Sequence, residues 1–115
     1  MSRISRYPFL ELETGIRMHL AHTWRARLLG LALLPGLDPD EALVIPHCTS
    51  VHSFGMRFEI DVAFCDADMI VLRTVCMAPW RMSRPSLRAR CAIEAESGAF
   101  ERWRLRPGDH LEVKE

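Results

Sequence analysis

The residues with the greatest chemical potential stand close together in PHCTSVHSFGMRFEIDVAF, residues 46–64. This segment contains His47, Cys48 and His52, followed by Asp61. Imidazole and thiolate groups both bind zinc, so His47, Cys48 and His52 are candidate metal ligands. A cysteine beside a histidine can also act as an activated nucleophile. The segment is therefore the first candidate site, for a metal ion or for covalent chemistry.

The spacing of these residues specifies neither chemistry. Cys48 and His52 match no standard zinc pattern, and a fourth ligand would have to come from Asp61, Cys65 or His110. The sequence also contains no oxyanion-hole signature for a nucleophilic cysteine. We therefore expect no cofactor, and we keep a metal-binding protein or enzyme using His52, Asp61 and Cys48 as the alternative function.

Asp61 falls in an alternating pattern over residues 57–64, on the side opposite the apolar face. This pattern predicts a solvent-facing carboxylate, or one in a polar cleft shared with His52 or an arginine. Met56 either lines a groove or fills the core. Gly55, just before it, fits a backbone position with positive φ.

The C-terminal part of the chain combines tryptophan with arginine. From Val71 onward there are nine basic and six acidic residues, with Trp80 and Arg81 in an irregular segment. Such residues can bind single-stranded nucleic acid. The net charge of zero and the interleaved glutamates favour a solvated surface instead, so we expect no nucleic-acid partner.

Length and composition indicate one ordinary globular domain, residues 1–115. The chain has 115 residues, 49% hydrophobic and 26% charged. It contains no signal-peptide pattern and no apolar run long enough to span a membrane, so we expect a cytoplasmic protein without membrane contact.

The four cysteines form no CxxC pair, which favours buried free thiols.

The hydrophobic pattern predicts about seven strands and one to two helices. Hairpins are expected around Thr14–Gly15 and around residues 66–68, and a helix from Thr23 to Pro35. A short helix is expected after Ser97, with Phe100 and Trp103 on the same side of it. The predicted strands cover residues 9–13, 16–21, 42–46, 57–64, 69–76, 87–95 and 110–113. This count favours a small, mostly antiparallel α+β domain with a curved sheet or open barrel.

The stretch VHSFGMRFEIDVAFCDADMIV resembles the signature of the domain-of-unknown-function 192 family. The matching positions are His52, Met56, Ile60, Asp61 and Phe64. Weaker matches flank this block, at Ala21, Arg25, Leu29, Gly30, Leu31, Pro46, Cys48, Ile93, Glu94, Gly98, Gly108 and Asp109. The resemblance covers roughly residues 9–114.

The resemblance implies a compact, β-rich α+β fold and supplies no reaction. It directs attention to His52, Met56, Asp61 and Glu94, which either build a cleft or tie a loop to the sheet. A buried carboxylate that accepts backbone N–H groups is a common device of the second kind.

These observations favour a non-enzymatic module that binds a small ligand or a peptide segment. Its predicted site is the Cys48–Asp61 segment, with Trp80 and Arg81 at the rim and Glu94 as a further candidate binding residue. An exposed strand edge could also pair two copies, so we expect a monomer or a weak homodimer.

Overall fold

A computed structural model describes residues 9–11, 15–20 and 39–112. In these ranges six strands form one mixed sheet, and a short helix follows the last strand. The predicted helix from Thr23 to Pro35 lies outside the described residues. The elements are β1 (Phe9–Glu11), β2 (Arg17–Leu20), β3 (Glu41–Pro46), β4 (Ile60–Cys65), β5 (Val71–Met77), β6 (Cys91–Glu96) and α1 (Ala99–Trp103).

The sheet has the order β1-β2-β3-β6-β4-β5. Only the β2–β3 pairing is parallel, so the expectation of a mostly antiparallel sheet is confirmed. The strands of both predicted hairpins pair antiparallel: β1 pairs with β2, which follows Gly15 at φ +87°, and β4 pairs with β5 around Asp66. The Asp66 side chain accepts the N–H groups of Asp68 and Ile70, which closes that turn. Among the described strands β1 and β5 form the two edges, and the sheet is open.

Three predicted strands differ from the structure in their bounds. The described part of the last one, residues 110–112, is reduced to a single bridge between Ile70 and His110, with the Leu111 N–H donating to the Met69 carbonyl at 3.0 Å. β4 begins at Ile60 because the residues before it form turns after Gly55, at φ +80°. β6 begins at Cys91, after a turn in which the Ala89 N–H contacts the Ser86 carbonyl at 2.9 Å.

Both faces of β4 are buried, so the predicted solvent-facing side of this strand is wrong. Ile60, Val62 and Phe64 pack in one core cluster, whereas Ala63 and Cys65 pack in a second on the other face. β4 lies between β6 and β5, and helix α1 adds Ala99 and Phe100 to the second cluster. The expected pairing of Phe100 with Trp103 is confirmed, with ring centroids 5.8 Å apart.

The four cysteines are free thiols, as expected, but they differ in burial. Cys65 and Cys91 are buried and face each other between β4 and β6. A hydrogen bond with Cys91, together with burial, raises the pKa of the Cys65 thiol. Cys48 is half-buried and Cys76 is exposed, which corrects the expectation that all four are buried. Within the described ranges, no helix combines the length and apolarity needed to cross a bilayer.

Candidate functional site

The Asp61 carboxylate fastens helix α1 to the centre of the sheet. Asp61 is only 8% exposed, and its Oδ2 accepts the N–H groups of Gly98 at 3.0 Å and Phe100 at 3.1 Å. These donors lie at the start of α1, where backbone N–H groups lack partners within the helix. Gly98 provides no side-chain cap and adopts φ +92°. Asp61 therefore caps the helix from a neighbouring strand.

Glu94 is buried on the opposite face of the sheet from Asp61. It is 2% exposed, and its register partners are Leu43 and Val62, both fully buried. In the described part of the chain its Oε2 has no hydrogen-bond partner. Burial raises the pKa of Glu94 to about 8. Because Asp61 pairs with Ala95, the adjacent Glu94 side chain points away from Asp61, and the two carboxylates form no pair.

The structure does not bring the candidate metal ligands together. The Cys48 thiol donates to the Ser50 carbonyl at 2.8 Å, and His47 is exposed at φ +54°. The His52 Nδ1 accepts the Phe54 N–H at 3.3 Å. Among residues 9–11, 15–20 and 39–112, no three His, Cys, Asp or Glu side chains are grouped so as to hold a metal ion. Met56 lies in the core, 4% exposed.

His52 is instead half-buried beside three exposed hydrophobic side chains, and we call the four residues the aromatic surface: His52, Phe54, Trp80 and Met82. The Phe54 ring stacks on His52 at 5.0 Å and on Trp80 at 6.2 Å between centroids. Trp80 is 66% and Met82 67% exposed. Met82 also forms a β-bridge with His52. The structure thus joins two parts of the predicted site, His52 and Trp80, through Phe54, which sequence reasoning missed.

Trp80 is held in an unusual backbone conformation by buried Ser53. Its φ of +64° lies in the left-handed region, which bulky residues rarely adopt. The Ser53 Oγ donates to the Ala78 carbonyl at 2.6 Å and accepts the Arg81 N–H at 2.9 Å. The Ser53 carbonyl accepts the Trp80 N–H at 2.9 Å. Nothing in the sequence distinguishes Ser53 from an ordinary loop serine.

Replacing Ser53 by alanine is expected to lower the free energy of unfolding by about 2 kcal/mol, because the Ala78 carbonyl and the Arg81 N–H lose their hydrogen bonds with the buried Ser53 hydroxyl. Chemical denaturation measures this loss, and amide exchange at Arg81 should become faster. Ser97→Ala is the matched control, since Ser97 is exposed and its hydroxyl bonds to the exposed Cys76 thiol, at 3.5 Å. An S53A protein as stable as the S97A control would contradict the role given to Ser53.

Two grooves of opposite charge flank the edge strand β5 and share its residues 74–76. The first, the basic groove, has a volume of about 610 Å³, and its lining contains three arginines and no carboxylate. Its lining residues are Arg73, Thr74, Val75, Cys76, Met77, Ala78, Arg81, Met82, Ser83 and Arg84. The second, the acidic groove, has a volume of about 410 Å³ and is lined by Asp61, Thr74, Val75, Cys76, Ser97, Gly98, Phe100 and Glu101.

The negative charge of the acidic groove affects the pKa of the Cys76 thiol. Its hydrogen bond with Ser97 favours the thiolate, but burial and the carboxylates of Asp61 and Glu59 outweigh that effect. The pKa of Cys76 is therefore raised, and a reactive thiolate is disfavoured there.

The DUF192 family model, described as "Uncharacterized ACR", matches residues 10–113. The chain belongs to this family. The match covers both Asp61, with the helix that it caps, and the aromatic surface, so the features described above lie within the DUF192 domain.

Relatives of this DUF192 protein carry the equally general name UPF0127. A UPF0127 protein of Pyrococcus furiosus is 35% identical over 106 residues, covering 87% of this chain and 89% of its own length. One from Thermococcus sibiricus is 30% identical over 100 residues, covering 84% of this chain. The chain spans 65% of that relative's length, and 54% of a Pyrococcus horikoshii relative.

Solved structures show the same DUF192 fold. A Novosphingobium aromaticivorans protein of unknown function superposes with a TM-score of 0.75 at 19% identity, covering 90% of this chain and 81% of that one. A Sinorhizobium meliloti protein gives a TM-score of 0.75 at 20% identity, covering 91% of this chain and 90% of that one. At these identities the likeness concerns the fold alone.

Proposed function

We propose that this protein is a non-enzymatic binding module that takes an extended peptide segment of a partner protein on its aromatic surface. The observation that carries the proposal is Trp80, which is two-thirds exposed although its strained backbone is fixed by buried Ser53. Backbone strain of this kind persists only where surrounding contacts impose it, and it concentrates at functional sites. Rigid, exposed tryptophans also dominate the binding energy of many interfaces.

The contacts of the polar candidates support binding more than catalysis. Asp61 is engaged in capping α1, and Glu94 lies on the other face of the sheet. The Cys48 thiol donates to the Ser50 carbonyl, whereas the His52 Nδ1 accepts the Phe54 N–H. Nucleophilic catalysis needs a base within hydrogen-bond reach of the nucleophile, and the hydrogen bonds of Cys48 and His52 lead to different partners.

The proposal is tested by selecting binders from a displayed library of heptapeptides and measuring their affinities by fluorescence anisotropy. We expect Trp80→Ala to weaken the selected peptides at least about tenfold, which corresponds to about 1.4 kcal/mol. Leu87→Ala is the control, because Leu87 is 82% exposed and lies outside the aromatic surface. Circular dichroism establishes that both variants are folded. Selected peptides that bind W80A as well as wild type, or a library without binders, would overturn the proposal.

A further inference from the structure

β5 is an edge strand of the described sheet, and the beginning of its outer side is paired. The Val71 N–H bonds to the Asp109 carbonyl at 2.8 Å, and the Val71 carbonyl accepts the Gly108 N–H at 2.7 Å. Beyond this point, no strand within the described ranges pairs with the outer side of residues 72–77. Such an edge presents alternate N–H and C=O groups and can accept another strand.

The two grooves place opposite charges on the two sides of this free edge. Residues Arg73, Val75 and Met77 share one face of β5, where the loop bearing Arg81 and Arg84 closes the basic groove. Thr74 and Cys76 belong to the other face, beside Asp61 and Glu101 in the acidic groove. The side chains of a strand alternate between the faces of its sheet. A strand added to β5 would therefore place every second side chain beside arginines and the others beside carboxylates.

The arginines of the basic groove are differently engaged. Arg73 is fixed, since its guanidinium donates to the Arg84 carbonyl at 2.6 Å and lies 4.9 Å from the Phe64 ring centroid. Its buried Nε has no hydrogen-bond partner in the part of the chain that the structure describes. Arg81 and Arg84 are exposed and present their charge at the groove. The groove thus combines a preformed wall with two exposed cations, which suits carboxylate side chains.

We propose that the free edge of β5 binds a peptide as an added strand in which acidic side chains alternate with basic ones. The inference rests on the proposed function and specifies its ligand: the acidic side chains meet Arg81 and Arg84, and the basic ones meet Glu101 and Asp61. The aromatic surface adjoins the basic groove through Met82, so it can hold an apolar residue at the end of the same peptide.

A second copy of this chain fits the edge less well than such a peptide. Antiparallel pairing of two β5 edges across a two-fold axis normal to the sheet keeps equivalent faces on the same side. The basic groove of one copy would then lie beside the basic groove of the other. Like charges placed opposite each other destabilise a strand pair, so the symmetric dimer is disfavoured.

The test uses three kinds of fluorescein-labelled synthetic peptide. The first alternates Glu and Lys over six residues. The second has the same composition, arranged as a block of Glu followed by a block of Lys. Each peptide carries one Phe at each end. The third is the alternating peptide with a methyl group on every second amide nitrogen. It is made in two versions, called phases, which carry the methyl groups on opposite sets of amides.

We expect the alternating peptide to bind at least about tenfold more tightly than the block peptide, since only the alternating peptide places acidic side chains in the basic groove and basic side chains in the acidic groove. One N-methylated phase should lose binding and the other keep it, because only alternate amides face β5.

Variants of the protein make the result specific to the basic groove. The double change Arg81→Glu with Arg84→Glu should weaken the alternating peptide by at least about tenfold. Arg88→Glu should not, since Arg88 is exposed outside the groove. Trp80-dependent binding without preference for the alternating peptide, or with both N-methylated phases retained, would overturn this inference and leave the proposed function standing. A sedimentation dimer that Cys76→Pro converts to monomers would also overturn it, because a second copy would then occupy the edge.

Discussion

Replacing Asp61 by alanine is expected to lower the free energy of unfolding by about 3 kcal/mol, since two backbone N–H groups at the start of α1 lose their acceptor where water has little access. For a domain of this size that loss corresponds to a melting temperature lower by about 10 °C. Thermal and chemical denaturation followed by circular dichroism measure it. The reason lies in the geometry, because one carboxylate oxygen serves both Gly98 and Phe100.

Two variants separate this capping role from a general sensitivity to mutation. Asp61→Asn keeps an acceptor oxygen but loses its charge, so it should retain about half of the stabilisation. Asp68→Ala changes an exposed carboxylate in the β4–β5 turn and should alter stability by less than about 0.5 kcal/mol. A D61A protein as stable as wild type would contradict the capping role.

Replacing Glu94 by glutamine is expected to stabilise the protein above neutral pH and to change little near pH 4. The folded state holds the Glu94 proton up to a pKa of about 8, whereas the ordinary value is 4.5. Between these values the unfolded state binds fewer protons, so the stability of wild type falls as pH rises and levels off above about pH 8. At 1.36 kcal/mol for each pKa unit, the loss is on the order of 5 kcal/mol.

Denaturation of wild type and E94Q over pH 4 to 9 tests this expectation, because the difference between the two curves isolates Glu94 from other titrating groups. Glutamine preserves the size and neutrality of the protonated side chain, so its curve should lack the decline caused by Glu94. Glu101→Gln, at an exposed position, is the control and should run parallel to wild type. A constant difference between wild type and E94Q across this range would contradict a buried, neutral Glu94.

The sequence predicted the parts of the fold whose causes are local. The β4–β5 hairpin follows from strand alternation and from Asp66, whose side chain bonds N–H groups two and four residues later. The short helix after Ser97 was likewise predictable from the spacing of Phe100 and Trp103. The mostly antiparallel arrangement followed from the predicted hairpins, but the insertion of β6 between β3 and β4 did not, since it depends on distant contacts.

The candidate site was predicted only in part, for the same physical reason. Asp61 bonds to the N–H of Gly98, 37 residues later, and polar alternation alone suggested that its side chain faced solvent. Phe54 and Trp80 meet across two loops, and the strain at Trp80 arises from Ser53, whose role no local pattern reveals. The exposure of Trp80 could be predicted from the sequence, because an irregular segment between Pro79 and Pro85 favours a surface loop.

The position of β6 also bears on the order in which the protein can fold during synthesis. Its strand, Cys91–Glu96, joins β3 to β4 and is made after both. A nascent chain that ends before residue 91 can form the β4–β5 hairpin but lacks the strand that connects it to β1, β2 and β3. Until residues 91–96 emerge from the ribosome, the inner edges of both partial sheets remain open to mispairing. The domain therefore completes its sheet late, in a step that unites two pieces rather than extending one.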